Sequence, residues 1–296
     1  CITCWRGAVL TPPGLLLRSE APDPYKRVGK RTFLHLVNFS AAQFPTAINP
    51  FYGAPQSIYS DHFQWNDGPK GPMGYKLEVP PLHPALAATL FSGFGQSSAE
   101  QMAKLPTTHM MLALMRDGFH PDSPGGNVEL RGDGTPVLDY QVSPYAWDGL
   151  RRAFHSMAEI QFAAGAKSVK PLHHDARYVK TLAEARSLID GLNLELHRTC
   201  LGSAHVMGGC AMGEDSTLAV ADSLHQASRS CQVQRHLCVL PLATLLENIA
   251  GIYAPLLAGA CIELRPVAQI GLQGGKRLRS ATLYRNLARR APAQPD

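Results

Sequence analysis

Hydrophobic and polar positions change period several times along this chain, and each change marks an element. Tyr75, Leu77 and Val79 alternate with Lys76 and Glu78, the period of a half-buried strand, which Pro80, Pro81 and Pro84 end. Residues 33–44 alternate more loosely and also predict strand. Residues 110–115, Met-Met-Leu-Ala-Leu-Met, are an unbroken apolar run read as a buried central strand, although periodicity alone fits a helix equally. The clearest hairpin joins 128–131 to 137–140 across Gly132-Asp133-Gly134-Thr135-Pro136, where Asp-Gly supplies the tight turn. The clearest helix covers 145–164. Trp147, Leu150, Phe154, Met157 or Ala158, and Phe162 or Gln161 fall near helical spacing, and Gly165 is a good C-cap. Residues 182–192 predict a shorter helix, and 84–105 predict helical pieces interrupted at Gly93 and Gly95. Residues 7–19 predict an apolar strand end, a Thr-Pro-Pro turn and a short Leu-rich helical segment. Residues 20–31 are a polar loop. Residues 45–73 are rich in Pro, Gly, Asn and aromatics without periodicity, which predicts a functional loop or lid carrying Tyr59, His62 and Trp65. Strands followed by helices, without regular βαβ alternation, predict an α+β fold: a mostly antiparallel sheet with helices on one face.

Composition narrows the class. The 296 residues are enough for one large domain or two ordinary ones. They are 45% hydrophobic and 17% charged, which is globular and less charged than the usual quarter or so. The net charge of +5 is partly local to the last 21 residues, where Lys276, Arg277, Arg279, Arg285, Arg289 and Arg290 crowd together. No interleaved basic and aromatic surface accompanies them, so a solvated tail is expected and nucleic acid is not. Seven scattered cysteines do not read as a disulfide framework. Residues 237–260 are long enough to cross a bilayer, but Pro241, Glu247, Asn248 and Pro255 interrupt them, and two short buried elements are expected instead. No signal-peptide order opens the chain, which starts without methionine. A processed or partial product, located in the cytoplasm, is the expectation.

Candidate chemistry is concentrated near residue 205. Nucleotide-loop, HExxH and paired CxxC patterns are absent, and His173-His174-Asp175 has no spaced partner for a metal, so no metal is expected and a surface loop is. In Gly202-Ser203-Ala204-His205-Val206-Met207-Gly208-Gly209-Cys210-Ala211-Met212-Gly213 a histidine sits between small residues, followed by a glycine-rich turn. Such a backbone packs closely on a flat ligand while the imidazole moves a proton. This stretch resembles the active-site histidine segment of the glucose–methanol–choline (GMC) flavoprotein oxidoreductases. Four further segments resemble the same family in order: 7–19, the end of its flavin domain; Gly29-Lys30-Arg31-Thr32-Phe33-Leu34-His35, with Leu36 where proline is usual; the 128–140 hairpin; and the 145–165 helix.

The resemblance implies FAD and oxidation of a small-molecule alcohol by hydride transfer to the flavin. It implies His205 as the general base or the group holding the alkoxide, and Gly208, Gly209 and Asp222 as cofactor-binding residues. A satisfied structural histidine is the alternative for His205. Cys210 is expected to be a small buried residue. The loop at 45–73 and the run at 110–115 point to an apolar pocket wall and a hydrophobic alcohol, with plain core as the alternative for the run. The family's dinucleotide-binding part precedes the segments found here, and Ala219-Val220-Ala221-Asp222-Ser223 is the last stretch that resembles it. The later Asn-Pro segment with the second catalytic residue has no counterpart.

Residues 236–275 resemble instead an internal piece of AMP-forming long-chain acyl-CoA synthetases, without the adenylate loop. The expected organisation is therefore 1–34, remnant of an FAD-binding domain; 35–198, substrate-binding domain; 199–228, histidine segment returning to the FAD domain; and 229–296, an unrelated helical tail. An oxidoreductase part inactive alone is the leading expectation. A non-catalytic substrate-binding module associated with a separate flavin-domain protein, and an acyl-CoA synthetase-like fragment, are the alternatives.

Overall fold

In the computed structural model the described residues are 10–211, apart from 22, 55, 66 and 204, together with the segments 3–4, 235–238 and 261–264. In chain order the elements are β1 (Thr3–Cys4), α1 (Thr11–Arg18), β2 (Thr32–Phe33), β3 (Leu36–Gln43), β4 (Tyr59–Ser60) and β5 (Tyr75–Glu78). Then come α2 (Pro84–Leu90), α3 (Gln96–Ala103), β6 (Thr108–Met115), β7 (Asn127–Leu130) and β8 (Pro136–Asp139). The remainder are α4 (Pro144–Ala163), β9 (Ser168–Pro171), α5 (Leu182–Gly191), β10 (Leu201–Ser203), β11 (Met207–Gly208), β12 (Arg235–Cys238) and β13 (Cys261–Leu264). Contacts group the chain into two units. Of the described residues, one holds β1, residues 31–126 and 140–207; the other holds 10–30, the 127–139 hairpin, 208–211, β12 and β13.

The first unit is a sheet ordered β1-β10-β3-β6-β5-β4, with β9 also on β3. β3 is its centre. One edge pairs antiparallel with β6 along its length, Phe39 opposite Leu112. The other edge is shared, its start by β10 and its end by β9. A strand covered on both faces carries few exposed positions, and β3 and β6 are buried almost throughout. The run at 110–115 is strand: Met110, Met111 and Met115 are buried core, the simpler of its two readings. β1 joins β10 in parallel, the one departure from antiparallel pairing in this sheet.

α4 covers one face of the sheet. Ser143 caps it, accepting from Ala146 N at 3.1 Å, Pro144 occupies its first turn, and Gly165 follows its end at φ +92°. Leu150, Ala153, Phe154, Met157 and Ala158 are wholly buried. Polar pairs add register: Asn38 Nδ2 donates to Leu150 O at 2.9 Å, and Ser40 Oγ donates to Gln161 Oε1 at 2.7 Å. Side chains alternate along β3, so Phe39 and Ala41 face the other way. There they pack with Leu82, Ala87 of α2, Phe91 and Met110. The antiparallel sheet and long helix are as the sequence predicts, with α2 added on the second face. α5 starts with a reciprocal Thr181–Glu184 cap, and its end is held by Arg151, which donates to Leu192 O at 2.8 Å.

In the second unit, Thr11-Pro12-Pro13 is not a turn before the helix but the first turn of α1 itself. Proline fits there because those N–H groups have no helical acceptor. The β7–β8 hairpin pairs Val128 with Leu138, and its turn uses Gly134 at φ +78°. Arg18 Nη1 donates to Gly134 O at 3.1 Å, tying α1 to that turn. In the expected helical tail, the described residues are the strands β12 and β13, paired in parallel; the rest of 212–296, with most of the 237–260 run, lies outside the described residues. Among the described residues no helix is long and apolar enough to cross a membrane.

Candidate active site

His205 follows β10, and the antiparallel pairing of β10 with the start of β3 decides what it meets. Ser203 lies opposite Leu36, so the chain after β10 runs beside the chain before β3. Ser203 Oγ donates to the carbonyl of Leu34 inside this junction. His35 takes a left-handed conformation at φ +49°, uncommon for a residue with a side chain. The result is a histidine pair: His35 Nδ1 lies 3.1 Å from His205 Nδ1, with ring centroids 5.2 Å apart and planes tilted by 34°. His205 is exposed and His35 half-buried.

The surroundings act on His35. Burial lowers its pKa most, and the nearby His205 lowers it further. Glu78 and Asp117 oppose the shift, while Lys76 adds to it. Asp117 is buried and accepts from Tyr140 Oη at 2.7 Å and Gly118 N at 2.9 Å. Burial, then the Asp117 charge, push the Tyr140 phenol well above its usual range, so Tyr140 stays a proton donor to Asp117. Lys76 sits over the Tyr59 ring at 4.1 Å. Trp65 packs against Phe119 and under Arg116, and His62 against Phe63.

The other predicted positions belong to the second unit. Gly208 and Gly209 are left-handed, φ +83° and +75°, a conformation that favours glycine. Gly29 N donates to Gly209 O at 2.7 Å, and a Cβ on Gly29 would stand 2.5 Å from Val128 O. Cys210 is buried with Leu16 and Val28. Burial, then the Asp23 charge, push its thiol up to about 12, which makes it inert as a nucleophile. Asp222 lies outside the described residues.

His173-His174-Asp175 corrects the surface-loop expectation in part. His174 and Asp175 are exposed, but His173 is 3% exposed, with Nε2 2.9 Å from Asn193 O and Nδ1 accepting from Asp175 N at 3.1 Å. Both of its ring nitrogens are thus engaged in holding the chain. His35, the contact partner of His205, is a residue that sequence reasoning did not single out. It ends the 29–35 segment, but nothing in that segment ties it to a residue 170 positions later.

Comparison with known proteins bears on this site. Residues 121–229 match the family model described as GMC oxidoreductase. That GMC span contains His205, Gly208, Gly209 and Asp222, together with α4, α5, β9 and β10. The chain is also similar to uncharacterized GMC-type oxidoreductases from two strains of Mycobacterium tuberculosis. Each is 27% identical over 218 residues, 73% of this chain and 32% of the relative. The match thus spans about a third of the length of those relatives. Residues 236–275, where the sequence leads one to expect an acyl-CoA synthetase-like piece, lie mostly outside the described residues.

Proposed function

We propose that this chain supplies the substrate-domain part of a GMC-type, FAD-dependent oxidoreductase acting on CH–OH groups, with His205 as the residue that takes the hydroxyl proton. The observation that carries the reading is the exposed His205 imidazole held Nδ1 to Nδ1 at 3.1 Å by His35, within a segment matching the GMC family model. The described part of the cofactor region fits a flavin: two consecutive left-handed glycines, 208 and 209, present backbone without a Cβ. FAD, when bound, supplies the hydride acceptor. The remaining chemistry belongs to side chains of this chain.

Two ring nitrogens in hydrogen-bond contact need one hydrogen between them. If His205 is to accept a proton at Nε2, its Nδ1 carries that hydrogen and donates to His35 Nδ1. The burial that lowers the pKa of His35 keeps it neutral and able to accept. When Nε2 of His205 takes the alcohol proton, its Nδ1–H becomes a charge-assisted donor, and the contact to His35 strengthens as the charge forms. His35 is thus a positioning residue that selects the tautomer of His205.

The proposal extends to a flavin domain supplied with this segment, since residues 10–211 alone bring only part of a cofactor site. In a full-length GMC flavoprotein carrying residues 6–226 of this chain in place of its own, an alcohol should bleach the flavin band. His205→Ala should slow that bleaching by about 10² or more while the oxidised flavin spectrum persists. Bleaching at an unchanged rate rules out the role given to His205.

A further inference from the structure

β9 places Lys170 in the first unit with 8% of the residue exposed. Among the described residues no carboxylate pairs with it. Its ammonium has one hydrogen-bond contact, Ser92 Oγ at 3.4 Å, and stands 5.9 Å from the Tyr178 ring. A largely buried ammonium without a counter-charge is costly unless something else supplies one. Burial accordingly lowers its pKa, and no neighbouring charge offsets the shift.

The ammonium borders a cavity of about 580 Å³ formed by the turn before α3, α3 itself and the chain leaving β9. Lys104, Arg177 and His174 also line this cavity, and among the described residues Glu100 is its only acidic one. The Glu100 carboxylate is engaged by Gln96, whose Nε2 donates to Oε1 at 2.9 Å. Cationic side chains lining one space match an oxyanion.

We propose that this cavity is a binding site for a phosphate group, free or on a small phosphorylated molecule, with Lys170 as the central counter-charge and Lys104 and Arg177 at the rim. A hydrogen phosphate supplies the missing counter-charge: its oxygens accept from the Lys170 ammonium. None of these residues belongs to the histidine pair, so the inference stands whether or not the oxidoreductase reading holds.

The test is thermal unfolding of the full chain with inorganic phosphate from zero to 20 mM or so, ionic strength held constant with chloride. Stabilisation by a bound anion saturates with concentration, whereas stabilisation by salt exclusion grows without saturating. Wild-type protein should show a saturable rise in Tm and broaden the ³¹P resonance of phosphate. Lys170→Met should abolish both effects, while its Tm without phosphate equals or exceeds that of wild type, because an uncompensated charge has gone. Lys104→Gln, at the exposed rim, should weaken the apparent affinity about fivefold and serves as a second probe if Lys170→Met fails to fold. A rise that does not saturate, or one that Lys170→Met retains, overturns the proposal. Saturation that phosphate monoesters reach at lower concentration than inorganic phosphate identifies the phosphorylated molecule as the source of the group.

Discussion

The bond between Ser40 and Gln161 offers a direct measurement of how α4 is fastened to the central strand. Ser40 is 0% exposed and Gln161 1%. The Ser40 hydroxyl donates to Gln161 Oε1 at 2.7 Å, and Gln161 Nε2 donates back to Ser40 O at 3.0 Å. Gln161→Leu keeps the bulk but leaves the serine hydroxyl buried without a partner and its carbonyl without the amide donor. A stranded buried polar group costs about 1–3 kcal/mol, so the variant should lose about 2–3 kcal/mol. Ser40→Ala strands only Gln161 Oε1 and should lose about 1–2 kcal/mol. In the double variant the hydroxyl–amide loss is counted once, and the total should fall short of the sum by at least about 1 kcal/mol. Urea unfolding followed by far-UV circular dichroism gives the four free energies, provided the slope is unchanged across the set. Single losses that add to within about 0.5 kcal/mol would refute the reasoning.

Two further expectations follow from the same packing. Gly149→Ala places a Cβ 2.5 Å from Met73 Cγ and 3.3 Å from Met115 Sδ, both side chains fully enclosed. The clash should cost about 1–3 kcal/mol and outweigh the better helix propensity of alanine; an unchanged urea midpoint would refute it. The second concerns acid. His35 and His109 both titrate below their ordinary 6.5, the first through burial and then His205, the second through burial. The unfolded chain therefore binds more protons than the folded one as pH falls through 6.5, and the stability these groups contribute, complete above that pH, is lost below it. Urea midpoints should decline between about pH 7.5 and 5.5, and His35→Gln with His109→Gln should flatten the decline. An equally steep decline in the double variant would locate the effect elsewhere.

What was legible in the sequence follows how locally each element is determined. The α4 helix declares itself through spacing and its Gly165 stop, β5 through strict alternation, and the β7–β8 hairpin through Asp-Gly. β9 was not anticipated, because Ser168-Val169-Lys170-Pro171 has neither apolar alternation nor length. It is strand because β10 leaves the far half of one β3 edge open, and Val169 and Lys170 complete that ladder. The same tertiary demand buries Lys170, a residue its sequence context presents as an ordinary solvated lysine. At α1, Thr-Pro-Pro reads as a break because proline usually stops helices; at a first turn the missing N–H costs nothing.

The histidine pair carries the same logic into the site. His205 stands out locally, through its small neighbours and the glycines after it. His35 acquires a role only from register: Ser203 opposite Leu36 aligns the two strands so that the residues flanking them converge. A slip of one residue would turn every β10 side chain to the other face and part the two rings. The buried Ser203–Leu34 bond lies between the pair and the ladder and opposes such a slip. The proton acceptor proposed here, with a tautomer set by a partner 170 residues away, would therefore be only as well defined as the sheet that joins them.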